Sequence, residues 1–74
     1  MRADERLTNR IREERVRLGL TQAQLATRAG VSRKTINTVE NGVFVPSTVL
    51  ALRLAKVLGT TVEDLFALDP DWGG

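Results

Sequence analysis

Seventy-four residues, 42% of them apolar and 27% charged, make one small domain with a limited core. There is no cysteine and no histidine, which excludes disulfides, thiolate chemistry, the usual zinc ligand sets and a histidine base for any serine or threonine nucleophile. The formal net charge is only +2, but residues 1–58 hold all eleven basic residues against five acidic ones, whereas residues 59–74 hold four acidic residues and no basic one.

The two lysines, Lys34 and Lys56, sit in no catalytic setting, so neither an enzyme nor a metal or other cofactor is expected. No apolar run approaches the length of a membrane span. The charged N-terminus, MRADERLTNRIREER, does not read as a signal peptide, so a cytoplasmic protein is expected. The charge asymmetry suits a molecule with one end facing a polyanion and the other turned away.

Glycines and prolines divide the chain into five helical segments, with no internal repeat. The first helix is predicted over about Leu7 to Leu18, where Leu7, Ile11 and Leu18 share a stripe and Gly19 ends it. Arg15 falls on that same apolar stripe. Thr21 is a natural N-cap for a second helix over about Gln22 to Ala29, with Leu25, Ala26 and Ala29 inward; Gly30 closes it. Ser32 caps a third helix over about Arg33 to Glu40, with Ile36 and Val39 inward, and Asn41-Gly42 stops it.

Val43-Phe44-Val45 is the only β-branched cluster, and it is too short and too close to Pro46 to predict a strand. Pro46-Ser47 opens a fourth helix with Ala51, Leu54, Ala55 and Leu58 inward and Gly59 at its end. Thr61 to Asp64 reads as a capping box for a short fifth helix that buries Val62, Leu65 and Phe66. The tail from Asp69 is expected to fray.

The stretch Gln22 to Asn41, QAQLATRAGVSRKTINTVEN, carries the functional signal. A small Ala26 suits a close helix crossing, Gly30 sits at the turn, and Val31 plugs the space beneath it. Two helices joined at a steep angle by a three- or four-residue turn form the DNA-binding helix-turn-helix unit. The outward face of the third helix carries Arg33, Lys34, Thr35, Asn37 and Thr38, all hydrogen-bond donors and none acidic. Arginine and lysine can read guanine, asparagine can read adenine, and threonine can offer a hydroxyl or pack on a thymine methyl. The start of the second helix, at Gln22, suits phosphate.

The segment LGLTQAQLATRAGVSRKTINTVENG resembles the helix-turn-helix of the Cro and lambda-repressor type, often called the XRE family. The resemblance extends from about Asn9 to Phe66, including PS…LALRLAKVLGTTVEDLF. It implies an all-α, compact five-helix bundle: an N-terminal extension over 1–8, a DNA-binding domain over 9–67 and an acidic tail over 68–74. It implies base reading by Arg33, Lys34 and Thr38, with Asn37 beside them. Phosphate contacts are implied for Thr21, Gln22, Ser32, Thr35 and Asn41. Arg15 and Glu40 match a partly buried salt bridge between the first and third helices, which accounts for an arginine on an apolar stripe.

Two departures stand out: Val43-Phe44-Val45 replaces a loop that commonly meets phosphate, and Thr48 replaces a frequent leucine. Phe44, Val49, Leu52, Leu68 and Trp72 find no obvious place in so small a core, and a dimer seam is expected there. The reading is a bacterial or phage regulator that binds double-stranded operator DNA as a homodimer on a near-palindromic site, most simply as a repressor, with no small-molecule effector. An antitoxin or restriction-modification controller of the same fold is the nearest alternative. A protein-interaction module that does not bind DNA is the alternative from another class.

Overall fold

A computed structural model describes residues 7–69. The order is β1 (Leu7–Asn9), α1 (Ile11–Arg17), α2 (Gln22–Ala29), α3 (Arg33–Glu40), α4 (Thr48–Val57), α5 (Val62–Leu65) and β2 (Phe66–Leu68). Five helices make the body, as expected. The small sheet was not expected: β1 and β2 pair antiparallel, with Leu7 opposite Leu68, Thr8 opposite Ala67 and Asn9 opposite Phe66.

The helix starts explain themselves locally. Thr21 and Gln24 form a reciprocal capping box on α2. Ser32, Ser47 and Thr61 each accept a hydrogen bond from the backbone N–H three residues on, opening α3, α4 and α5. The first four helices all end in one pattern. At the end of α1, the Gly19 N–H donates to Val16 and the Leu20 N–H to Arg15, the paired closing bonds of a Schellman turn. Gly30, at φ 76°, closes α2 in the same way through Thr27 and Ala26.

Two boundaries differ from the sequence reading, both because of the strand pair. α1 begins at Ile11, not Leu7: the Asn9 side chain accepts from the Ile11 N–H at 3.1 Å, and the Arg10 N–H donates to the Leu65 carbonyl at 2.9 Å. Those bonds hold the preceding residues extended. At the other end, Phe66 has left the helix (φ −123°, ψ 144°) and starts β2.

The core comprises Ile11, Leu20, Leu25, Ala26, Ala29, Ile36, Val39, Leu50, Leu54, Ala55, Leu58 and Leu65. Leu18, expected inside, is 43% exposed. The turn after α1 carries the chain around so that Leu20 fills the interior instead. On α4, Leu50 is buried and Ala51 only half-buried, since Leu50, Leu54 and Leu58 form the i, i+4, i+8 row that faces the bundle. Val57, not among the inward residues of the predicted fourth helix, packs partly against the core, as do Val31, Val62 and Phe66.

Candidate nucleic-acid interface

α2 and α3 are joined by only Gly30, Val31 and Ser32. Ala26 and Ala29 are buried, and Val31 packs beneath the turn. Small residues let the helices cross closely, while the positive φ at Gly30 reverses the chain where a Cβ is disfavoured. With Ile36 and Val39 buried, the opposite face of α3 is left outside. Arg33, Lys34 and Asn37 are exposed, and Thr35 and Thr38 are half-buried.

The polar groups on this face differ in how committed they are. Lys34 has no hydrogen bond or ion pair among the described residues. Arg33 Nη1 lies 3.5 Å from Gln22 Oε1, a long contact that leaves the guanidinium extended over the α2 terminus. Asn37 Oδ1 accepts from Gln22 Nε2 at 3.2 Å and from Asn41 Nδ2 at 3.1 Å. Thr38 turns its hydroxyl back to the Thr35 carbonyl at 2.9 Å. The Ser32 and Thr35 hydroxyls lie 3.0 Å apart. Thr21 lies exposed at the α2 start.

Beneath this face an ion-pair network locks α1, α2 and α3 together. Arg15 holds Glu40 with two bonds, Nε to Oε2 at 2.7 Å and Nη2 to Oε1 at 3.2 Å. Arg15 Nη1 also donates to the Leu20 carbonyl at 3.0 Å. Gln22 Nε2 reaches Glu40 Oε1 at 3.2 Å, and Arg12 Nε lies 3.4 Å from the same oxygen. The Glu40 side chain has 0% exposure and that of Arg15 13%. Burial by itself disfavours the Glu40 charge. The hydrogen bonds from Arg15, Gln22 and Arg12, with the Arg15 charge, outweigh it and hold the carboxyl below its ordinary value.

Sequence reasoning missed two side chains that tie the N-terminal part to α3. Arg12 bonds both Glu40 and Asn41, the latter through Nη2 to Oδ1 at 3.1 Å. Its place three residues before Arg15 was the available signal. Asn9 Nδ2 donates to the Val39 carbonyl at 3.0 Å, tying the strand to α3; no local pattern announces that contact.

Charge pairing sorts the cations into two groups. Arg10, Arg12, Arg15 and Arg17, around α1, all pair with Glu14 or Glu40. Arg28, Arg33, Lys34, Arg53 and Lys56 pair with no carboxylate among the described residues. The uncompensated positive charge of α2 to α4 is therefore borne by these five.

Phe44, Val49, Leu52 and Leu68 are exposed at 49%, 58%, 57% and 56%; Trp72 lies outside the described residues. Val43 and Val45 are exposed as well. A recess of about 540 Å³ is lined by Leu7, Pro46, Thr48, Ala51, Leu52, Val62, Glu63 and Phe66. Among the described residues no group of three or more acidic side chains is placed to hold a metal ion, and no helix is long and apolar enough to cross a membrane.

A short-turn helix pair with a donor-rich outer face, braced by a buried ion pair, defines a helix-turn-helix domain. A family model described as helix-turn-helix matches residues 11–65. An uncharacterized HTH-type transcriptional regulator of Methanothermobacter thermautotrophicus is 53% identical over 62 residues, covering 82% of this chain and 90% of the relative. Another, of Archaeoglobus fulgidus, is 44% identical over 69 residues, covering 90% and 99%. The chain belongs to the XRE-type helix-turn-helix family of transcriptional regulators.

Among solved structures, the restriction-modification controller protein C.AhdI of Aeromonas hydrophila superposes with a TM-score of 0.70 at 35% identity, covering 73% of this chain and 82% of that one. The clp gene regulator ClgR of Corynebacterium glutamicum gives 0.70 at 30% identity, covering 73% and 57%. The iron(II) protein HppE, solved with its substrate, gives 0.71 at 28% identity, but the match spans only 33% of it.

Proposed function

We propose that this regulator is a repressor that binds a near-palindromic DNA operator as a homodimer, with α3 in the major groove of each half-site. The observation that carries this reading is the outer face of α3, where Arg33 and Lys34 are exposed and have no carboxylate partner. Arg33, Lys34, Asn37 and Thr38 are the base-reading residues. Asn37 and Thr38 exchange their internal bonds for base edges when the groove is entered. Thr21, Gln22, Ser32, Thr35 and Asn41 face the phosphates on either side.

The Gln22 carboxamide spends both N–H groups on Glu40 and Asn37. Its phosphate contact therefore runs through the peptide N–H groups that open α2, where the helix dipole favours an anion. The side chain acts as the brace between α2 and α3.

The exposed side chains of Phe44, Val49, Leu52 and Leu68 supply the seam between two copies. Operator binding by such a dimer requires its two α3 helices to lie one DNA turn apart, roughly 34 Å. Catalysis has no part in this reading, because the chain lacks histidine and cysteine and the HppE likeness covers a third of that protein. A cytoplasmic location follows from a DNA target.

The likeness to C.AhdI favours one second reading, a controller of restriction-modification genes with the same DNA chemistry. Selection of bound sequences from random DNA by the purified protein, followed by a salt titration, tests the main proposal. An inverted-repeat consensus with a steep salt slope is expected. A consensus without symmetry would remove the dimeric operator, and no enrichment at all would remove DNA reading.

A further inference from the structure

The C-terminal end of α2 and residues 53–57 of α4 border a shallow, open recess of about 400 Å³. Arg28, Arg53 and Lys56 line it, with Gly30, Thr27 and Val57. No carboxylate among the described residues pairs with any of the three cations. Arg28 and Lys56 lie in the last turns of their helices, where a cation is favoured by the helix dipole alone. Arg53 lies outside the last turn of α4 and gains nothing from that dipole. Its Nη1 stands 3.7 Å from where a Cβ on Gly30 would sit, so the guanidinium is laid across the turn between α2 and α3. Three cations gathered from two helices repel one another unless an anion joins them.

The recess is contiguous with the DNA-reading element. Gly30 lines it, and two residues later Ser32 caps α3. An anion held there lies beside the helix end that bears Arg33 and Lys34. We propose that the Arg28–Arg53–Lys56 recess takes a backbone phosphate of the bound DNA, giving a contact zone that adds affinity without reading bases. This rests on the DNA-binding reading above. The chemistry fits: guanidinium groups offer forked donors to phosphate oxygens, and the lysine adds a point charge. The five unpaired cations then serve one polyanion, two at the bases and three at the backbone.

The test compares the full chain with a triple variant, Arg28→Gln, Arg53→Gln and Lys56→Gln, on the selected operator and on random duplex across 50–200 mM salt. Each phosphate neutralised contributes about 0.9 to the slope of log affinity against log salt, so with the one recess phosphate lost the variant's fall in affinity over this fourfold range should be roughly 3.5-fold smaller than that of the wild type. Its binding should weaken equally on both DNAs. A charge-retaining variant, Arg28→Lys, Arg53→Lys and Lys56→Arg, should keep the wild-type slope, and equal unfolding midpoints exclude a folding defect.

A steep wild-type slope matched by the triple variant would overturn this inference alone, whereas a wild type that binds no DNA would overturn the function as well. Loss confined to the operator would overturn it, as would unchanged DNA binding with altered transcription, which points to an acidic protein partner. Inorganic phosphate that binds the protein alone and does not compete with DNA would reassign the recess to a free anion.

Discussion

Glu40 shows how one side chain can hold a recognition surface in place. Its carboxylate is sealed from solvent yet ionised, because Arg15 grips both oxygens and Arg12 and Gln22 add donors. Such a pair contributes little net stability compared with apolar packing, but breaking it strands a buried charge. Replacing Glu40 with alanine should cost about 3–5 kcal/mol, read as a lower denaturant midpoint. The depressed folded pKa fixes the sign of the pH effect. Its contribution is present above the ordinary glutamate value of 4.5 and is lost as pH falls through the lower folded value. Acid unfolding monitored by helix signal should therefore be less steep in Glu40→Gln than in the wild type. Arg33 stands at the same scale, with its proposed role on the DNA. Arg33→Ala should cost about 1–3 kcal/mol in operator binding and relax preference at one base pair; equal loss on every sequence would contradict base reading there.

The helices owe their limits to hydrogen bonds that the sequence spells out, a threonine or serine at each start after α1 and a glycine after each of the first four ends. Gly30 is the most constrained of these positions, because it both closes α2 and sets the angle at which α3 departs. A Cβ there would meet Arg53 at 3.7 Å, an ordinary contact, so the cost of Gly30→Ala is conformational. It should be about 1–2 kcal/mol, measured by thermal or denaturant unfolding. A shift in the α3 direction should also lower DNA affinity, since the side chains proposed to read bases must enter the groove together. The N-terminal boundary of α1 was not legible in the same way. Leu7 keeps helical spacing with Ile11, and only the pairing of residues 7–9 with 66–68 forces it into an extended conformation.

At the scale of the molecule, a 74-residue chain leaves much of its apolar surface outside. That surface includes Val49 and Leu52, one turn apart on α4, with Leu52 lining a mainly apolar recess, and Phe44 in its loop and Leu68 on β2 are exposed as well. Leu52→Glu should leave the monomer fold intact, because the side chain is already 57% exposed. The same change should shift sedimentation from dimer to monomer and weaken binding to a two-half-site operator far more than to a single half-site. A Leu52→Glu protein that sediments like the wild type would rule this surface out as the seam. The charge layout also emerges at this scale. The arginine-rich N-terminal part looks in sequence like the main source of positive charge, yet the arginines at 10, 12, 15 and 17 are paired with Glu14 and Glu40, and among the described residues the uncompensated cations lie on α2, α3 and α4.

Taken alone, the order of residues determined where the five helices lie, where the α2–α3 turn falls and which side of α3 faces outward. These are local matters: caps, glycines and apolar spacing act within one or two turns of backbone. Tertiary structure decided what depends on partners far apart in the chain. It drew Leu7 and Phe66 into a strand pair, turned Leu20 inward in place of Leu18, brought Arg12 to Glu40 and gathered Arg28, Arg53 and Lys56 at one recess. Such contacts leave no periodic trace, because the energy that fixes them comes from groups that meet only after the helices have packed.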